Sequence, residues 1–392
     1  AFMLAAKNTN VAVIQYLYNT YKDTININRQ NKDDHNTFML AAQNTNVEVI
    51  QFIYNTFKDS ISINNHDNNG NTAFMLAASH SNIEVVQFIY DTFKKNINPY
   101  KQNYDGNTAF MLAAMNKNVE VIHFLSFTFK NNININKRNN NGNTAFMLAT
   151  RYSNIEVIRF LYNTFKSTLD VHTKDNKGNT AFMLASRYSN VEMVQFIYHN
   201  YKDTIDIKKQ NNIGETAFIL AAQGTNVAVT QFIYKTFKDK IDINKQDYCG
   251  NTAFMVAVWK SNIDMIQFLY DTFKHSADFH KQNKNGDNAF TLAAQNTNVK
   301  AIQFICNTFK NTIDVNKKNN NGDTAYTLTA QNTNVVNITF IYNKYHNTIN
   351  INYKDNENNT TFMLAVFKSN VKVIQYIYEK YKDTINIKDK NN

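Results

Sequence analysis

Four adjacent pairs of residues carry side chains suited to gripping another molecule: Arg151-Tyr152, Arg187-Tyr188, Trp259-Lys260 and Phe367-Lys368. Arg, Tyr and Trp concentrate binding energy at protein interfaces, because each joins a large contact area to a polar or charged tip. Catalytic chemistry finds less support. The chain has no Gly-rich phosphate loop, no HExxH and no nucleophile elbow. Of its nine histidines, His275 and His280 are the closest pair, and their spacing does not put them on one helical face. Cys249 and Cys306 are the only two cysteines, without a CxxC, which argues against a disulfide framework or a zinc site. We therefore expect no enzyme, no metal and no cofactor. Cys306 reads as an inert buried thiol, and Cys249 as an exposed turn residue.

The elements that must position these side chains follow from one period. Phe2, Phe38, Phe74, Phe110, Phe146, Phe182, Phe218, Phe254, Phe290, Tyr326 and Phe362 recur every 36 residues, giving eleven copies without insertion or deletion. A fixed period of this size marks a solenoid, in which each unit buries its apolar face against its neighbours. The copy from Thr72 to Asn107 shows the plan. Asn69-Gly70-Asn71 is turn chemistry, and Asp34 or Asn358 stands where glycine is missing. Thr72 caps a short helix from Ala73 to about His80, whose alanines allow close approach of the next helix. Asn82 caps a second helix from Ile83 to about Lys94, with Val85, Val86, Ile89, Tyr90 and Phe93 on the 3.6-residue period. An Asn occupies the Asn82 position in all eleven copies, from Asn10 through Asn334 to Asn370. An extended return follows, clearest as Ile241-Asp242-Ile243-Asn244, with both isoleucines expected in the core.

Helix, turn, longer helix, extended return and Gly turn together resemble the ankyrin repeat. Asp242-Ile243-Asn244, Asp247, Gly250 and Thr252-Ala253-Phe254 follow its D-x-N-x-x-D-x-x-G-x-T-P-L-H pattern, and Ala257, Asn262 and Met265-Ile266 continue it. The resemblance covers essentially the whole chain. It implies an all-α repeat solenoid of helix–turn–helix units with short finger turns, elongated and curved, spanning residues 1–392 as one domain. Two departures stand out. Thr-Ala-Phe-Met replaces T-P-L-H, so the histidine that ties neighbouring turns in the family is absent. The repeat is also three residues longer than the family's 33, and the extra residues fall after the second helix, as in Phe57 to Ser60. The TPR family, the other helical repeat considered, lacks its Trp-Leu-Gly and Pro signals here.

Most aromatics fall on ladders that pack repeat against repeat. Tyr100, Tyr104, Phe127, Tyr152, Tyr188, Tyr248, Trp259, Tyr353 and Phe367 do not, and Phe279 replaces a core isoleucine and is expected to be buried. The resemblance implies that the C-terminal end of the first helix and the finger turn line a concave groove that binds a partner protein. Met115, Arg151, Tyr152, Arg187, Tyr188, Trp259, Lys260, Phe367 and Lys368 would contribute from helix ends, with Tyr104 and Tyr248 from fingers. Several other copies carry Gln-Asn at the helix end.

A net charge of +10 permits acidic partners. Lysines from Lys22 through Lys130 to Lys382 repeat at one position, broken by His346. A cation at a helix C-terminus explains that row without nucleic acid, so nucleic-acid binding is not expected. No stretch is apolar for long enough to insert in a membrane. Scarce cysteine favours a cytoplasmic or host-cell interior. The chain opens in mid-repeat and stops in a turn, so we expect a segment of a longer array. Its first and last copies are as apolar as the middle ones, which supports an alternative: a structural filament or spacer that self-associates head to tail through its terminal repeats.

Overall fold

A computed structural model describes residues 1–116, 118–129, 133–296, 298–332, 335–368 and 370–385. Among these it contains 22 α-helices, two isolated β-bridges and no strand. Lys130 and Asn334 lie outside the described residues. The chain divides into two compact units, Ala1–Asn200 and Tyr201–Asn392.

Each repeat holds a short helix of four to eight residues and a long helix of ten or eleven. The third copy has Ala73–His80 and Ile83–Phe93, within a residue of the boundaries that its caps and period predict. Within the first unit, each short helix packs on the next short helix, and those from Phe2–Ala5 to Ala145–Arg151 also pack on their own long helices; the second unit repeats the arrangement. Alanines make this possible: Ala41, Ala42, Ala77, Ala78, Ala221 and Ala222 are fully buried. The aromatic ladders join repeats edge to face, as in Phe38–Phe93 at 5.7 Å and Tyr54–Phe93 at 5.6 Å between ring centroids. Such contacts add about 1 kcal/mol each beyond area burial.

Asparagine supplies the polar half of the stacking. Asn82 accepts the Val85 amide at 3.2 Å through Oδ1 and donates through Nδ2 to the Thr45 carbonyl of the preceding repeat at 2.6 Å. Asn46, Asn154, Asn262 and Asn370 make the same pair of bonds. The amide does both at once through separate atoms, accepting at the cap with Oδ1 and donating across the repeat boundary with Nδ2. Asn82→Ala is thus expected to cost about 2 kcal/mol, a cap plus a hydrogen bond, and Asn82→Asp about half as much because it keeps the cap. An Asn82→Asp variant as stable as wild type in urea titrations would show that the cross-repeat bond contributes nothing.

The finger turns carry a second ladder. At each of the ten fingers an Asn or Asp side chain, such as Asp67 or Asn103, accepts amides two and four residues on. Successive fingers in the first unit are then bonded backbone to backbone: Asn68 N to Asp33 O, Tyr104 N to Asn69 O, Asn140 N to Asp105 O and Asn176 N to Asn141 O, at 2.9–3.1 Å. The second unit has the same ladder from Tyr248 N to Ile213 O through Asn356 N to Asn321 O. These bonds hold the fingers in register without the missing histidine.

The three extra residues form a single 3₁₀ turn at Lys22–Thr24, Lys58–Ser60, Lys202–Thr204 and Lys238–Lys240. Two expectations need correction. Ile243 is buried, but Ile241 is only half-buried, because it caps the 3₁₀ turn. Phe279 is also half-buried: larger than the isoleucine it replaces, it packs on Phe254 and Phe309 while part of it stays exposed. Among the described residues no helix is long and apolar enough to cross a membrane.

Candidate partner-binding cleft

In the first unit, the ends of the short helices and the fingers enclose an open cleft of about 530 Å³. Its fingers contribute Asn71, Asn103, Asn107, Asn139 and Asn143, and its helix ends contribute His80, Met115, Arg151 and Tyr152. The sequence-predicted residues Met115, Arg151 and Tyr152 therefore meet at one site. Arg187 and Tyr188 continue it: the Tyr188 ring has the Arg151 guanidinium 4.9 Å and the Arg187 guanidinium 5.2 Å from its centroid. Tyr152 and Tyr188 are 59% and 42% exposed, so neither serves as core.

Tyr104 is not among the residues lining the cleft. Its ring covers Gly70 on the preceding finger and sits edge-on to His66, with centroids 5.6 Å apart. In the second unit, Tyr248 covers Gly214 in the same way. Trp259 is 52% exposed, with the Lys260 ammonium 4.4 Å from its ring. Phe367 is 79% exposed, with Lys368 at 5.4 Å. Three repeats separate Trp259 from Phe367, so these two pairs do not share one contact point.

A further signal of the sequence gains its meaning only from the folded finger. Where the helix ends in Gln, the finger residue eight positions earlier is charged or ionisable, and the two bond: Gln43 with His35 at 3.4 Å, Gln295 with Asp287 at 3.3 Å, Gln331 with Asp323 at 3.2 Å, and Gln223 with Glu215. Where the helix ends otherwise, at Ser79, Met115, Arg151, Arg187, Trp259 and Phe367, the finger residue is always Asn: Asn71, Asn107, Asn143, Asn179, Asn251 and Asn359. The repeats thus fall into two kinds, one locked helix to finger by this Gln and one without the Gln lock, here called released. Four released repeats, ending at Ser79, Met115, Arg151 and Arg187, are consecutive; the first three line the cleft, and the fourth adjoins it through Tyr188 and Arg151.

Backbone conformation separates Arg151-Tyr152 and Trp259-Lys260 from Arg187-Tyr188. Ser153, after Tyr152, has φ 57° and Ser261, after Lys260, has φ 53°, a left-handed conformation that costs a non-glycine residue about 1 kcal/mol or more. The corresponding Ser81 and Ser189 are ordinary, at φ −99° and −108°.

Other candidate groups have structural surroundings. Cys306 is fully buried, and burial pushes its thiol up to about 12, while Cys249 is exposed. Tyr100 lines an apolar cavity of about 220 Å³ with Pro99, Phe110, Met111, Leu125 and Phe129, and Pro99 stands where six other copies bury an isoleucine, as at Ile63 and Ile135. Phe127 is 86% exposed and isolated on its long helix. The described lysines of the periodic row, Lys22 to Lys382, are exposed at the ends of long helices, away from the cleft lining. Among the described residues no cluster of three His, Cys, Asp or Glu side chains is placed to hold a metal ion.

A family model described as ankyrin repeats (3 copies) matches residues 2–103, 55–139, 90–170, 110–211 and 202–278, a continuous stretch of more than half the chain. No curated protein matches the sequence.

Proposed function

This chain belongs to the ankyrin-repeat family, and from that premise we propose that it is a non-catalytic scaffold that grips a partner protein in the cleft of its first unit. Ankyrin repeats generally serve as protein-interaction modules, and the family is typically non-catalytic. The observation that carries the reading is the run of four released repeats, whose cleft gathers Met115, Arg151, Tyr152 and a floor of finger amides. Asparagine side chains can donate to and accept from a peptide backbone at regular intervals, and the arginines and tyrosines supply the anchoring area. The left-handed Ser153 beside Tyr152 adds support, because strained backbone clusters at working sites. Tyr104 would add contact surface in the first unit, and Trp259-Lys260, Phe367-Lys368 and Tyr248 would be contact residues of the second unit in its own right.

The test is selection from a random-peptide display library on the intact protein and on the variant R151A/Y152A/R187A/Y188A. We expect the intact protein to enrich a family of peptides and the variant to lose it while keeping its melting curve. No enrichment, or the same peptides on both, would sink the cleft as a binding site.

A second reading, head-to-tail assembly, draws on exposed apolar residues of the first and last copies: Leu4 is 73% exposed in one unit and Val371 63% in the other. A further repeat would cover the same faces. Light scattering over a wide concentration range separates the two. Constant mass near 45.3 kDa rejects assembly, and mass that grows with concentration supports it.

A further inference from the structure

The two kinds of repeat also differ in charge. In the second unit, Glu215, Asp287 and Asp323 put carboxylates on the fingers beneath Gln223, Gln295 and Gln331. Beneath Arg151 and Arg187 the same positions are the neutral amides Asn143 and Asn179. The chain thus places its two cleft guanidiniums in the repeats whose fingers offer no acid at that position. Among the described residues, ion pairs join His35 to Asp67 and Arg159 to Glu192, and neither Arg151 nor Arg187 takes part in one. The acids nearby are accounted for. Asp175 accepts the backbone amides of Lys177 and Asn179 and the Asn179 side chain. Asp105 is an exposed cleft residue on a finger one repeat before that of Arg151.

We propose that Arg151 and Arg187, whose guanidiniums both lie against the ring of one contact residue, Tyr188, at 4.9 and 5.2 Å from its centroid, anchor a carboxylate side chain, so that the partner is an extended acidic peptide segment. The proposal rests on the cleft reading above and gives it a chemistry. A guanidinium that uses its face on an aromatic ring keeps its N–H edge for a carboxylate, with which it forms paired, charge-assisted hydrogen bonds. A Lys pair could not do the same, since an ammonium is a point charge without that fork. The cleft floor favours a peptide over a nucleic acid: its finger amides suit a peptide backbone, and Asp105 would repel a chain charged at every phosphate more than a peptide whose acid sits at the arginines, one repeat away.

The experiment uses the same random-peptide display on four intact proteins: wild type, R151Q/R187Q, R151E/R187E and K22Q/K58Q. The last removes the same amount of charge from exposed helix ends elsewhere in the first unit. Wild-type peptides are expected to carry Asp or Glu at one fixed position. The affinity of the leading peptide, read by fluorescence anisotropy, should fall at least about tenfold in R151Q/R187Q and stay unchanged in K22Q/K58Q. R151E/R187E should select a basic residue at the same position, which also shows that the variant cleft is folded. Enriched peptides without a fixed acid, or equal losses in both Gln variants, would overturn the acidic anchor and leave the cleft reading standing. Competition by oligo-dT as strong as that by unlabelled peptide would overturn it in favour of a general polyanion site. No enrichment on any protein removes the cleft reading and the anchor with it.

Discussion

Gly106→Ala is expected to destabilise the first unit by about 3 kcal/mol, which is large for adding one methyl group. Gly106 has φ +77°, where an L-residue pays roughly 1–2 kcal/mol. Its missing Cβ is the second cause. An ideal Cβ would lie 2.7 Å from the Asn140 backbone nitrogen on the next finger, well inside contact distance. The flexible end of a side chain could move aside, but this nitrogen cannot. It donates to Asp105 O at 2.9 Å, in the ladder that holds the fingers in register. Relief of the clash must therefore break a cross-repeat hydrogen bond as well. Asp105 and Asn107 flank the glycine and line the cleft, so peptide binding should weaken together with stability. Urea denaturation of G106A beside wild type measures the first effect. A loss below about 1 kcal/mol would mean that the fingers slide freely, and that the ladder does not position the cleft.

Phe254→Ala is expected to cost about 4 kcal/mol in the second unit, in the range for emptying a large aromatic site in a core. Phe254 is 2% exposed, on the short helix Ala253–Trp259. Its ring meets Phe279 at 4.6 Å and Phe309 at 6.2 Å, both edge to face, and Tyr270 contacts the same two partners. Removing Phe254 leaves a hole against the Phe279 and Phe309 rings, which Tyr270 in turn holds in place. Phe127→Ala makes the comparison, since that residue is 86% exposed and should change stability by less than about 0.5 kcal/mol. Similar losses at the two positions would contradict the reading of the aromatic ladders as the cement between repeats. Repeat arrays can unfold in stages, so far-UV circular dichroism and the single fluorescence of Trp259 should be followed together.

The period carried most of the fold. Caps at Thr72 and Asn82 and the apolar spacing of Val85, Val86 and Ile89 placed both helices of that repeat within a residue of their observed ends. The second role of the cap asparagines was not legible, because the partner of Asn82 Nδ2 is the carbonyl of Thr45, one repeat away. A cap is a local signal, and a cross-repeat donor is not. The burial of Ile243 but not Ile241 depends on where the chain leaves its 3₁₀ turn, which alternation alone does not fix. For the candidate site, residue type was enough to single out Arg151, Tyr152, Arg187 and Tyr188, but not to bring them together. The pairing that sorts the repeats, Gln295 with Asp287 against Arg151 with Asn143, was present in the sequence at a spacing of eight. It carries meaning only once the finger is seen to fold back under the end of the helix.

The central claim is that the released repeats of the first unit form the binding surface. Amide hydrogen exchange of the full chain, with and without the most enriched display peptide, tests it most directly. The account predicts added protection at the fingers around Asn103–Asn107 and Asn139–Asn143 and at the helix ends around Met115, Arg151-Tyr152 and Arg187-Tyr188, with the long helix around Phe127 unchanged. Protection centred on the long helices, or on the locked repeats that end at Gln295 and Gln331, would contradict it.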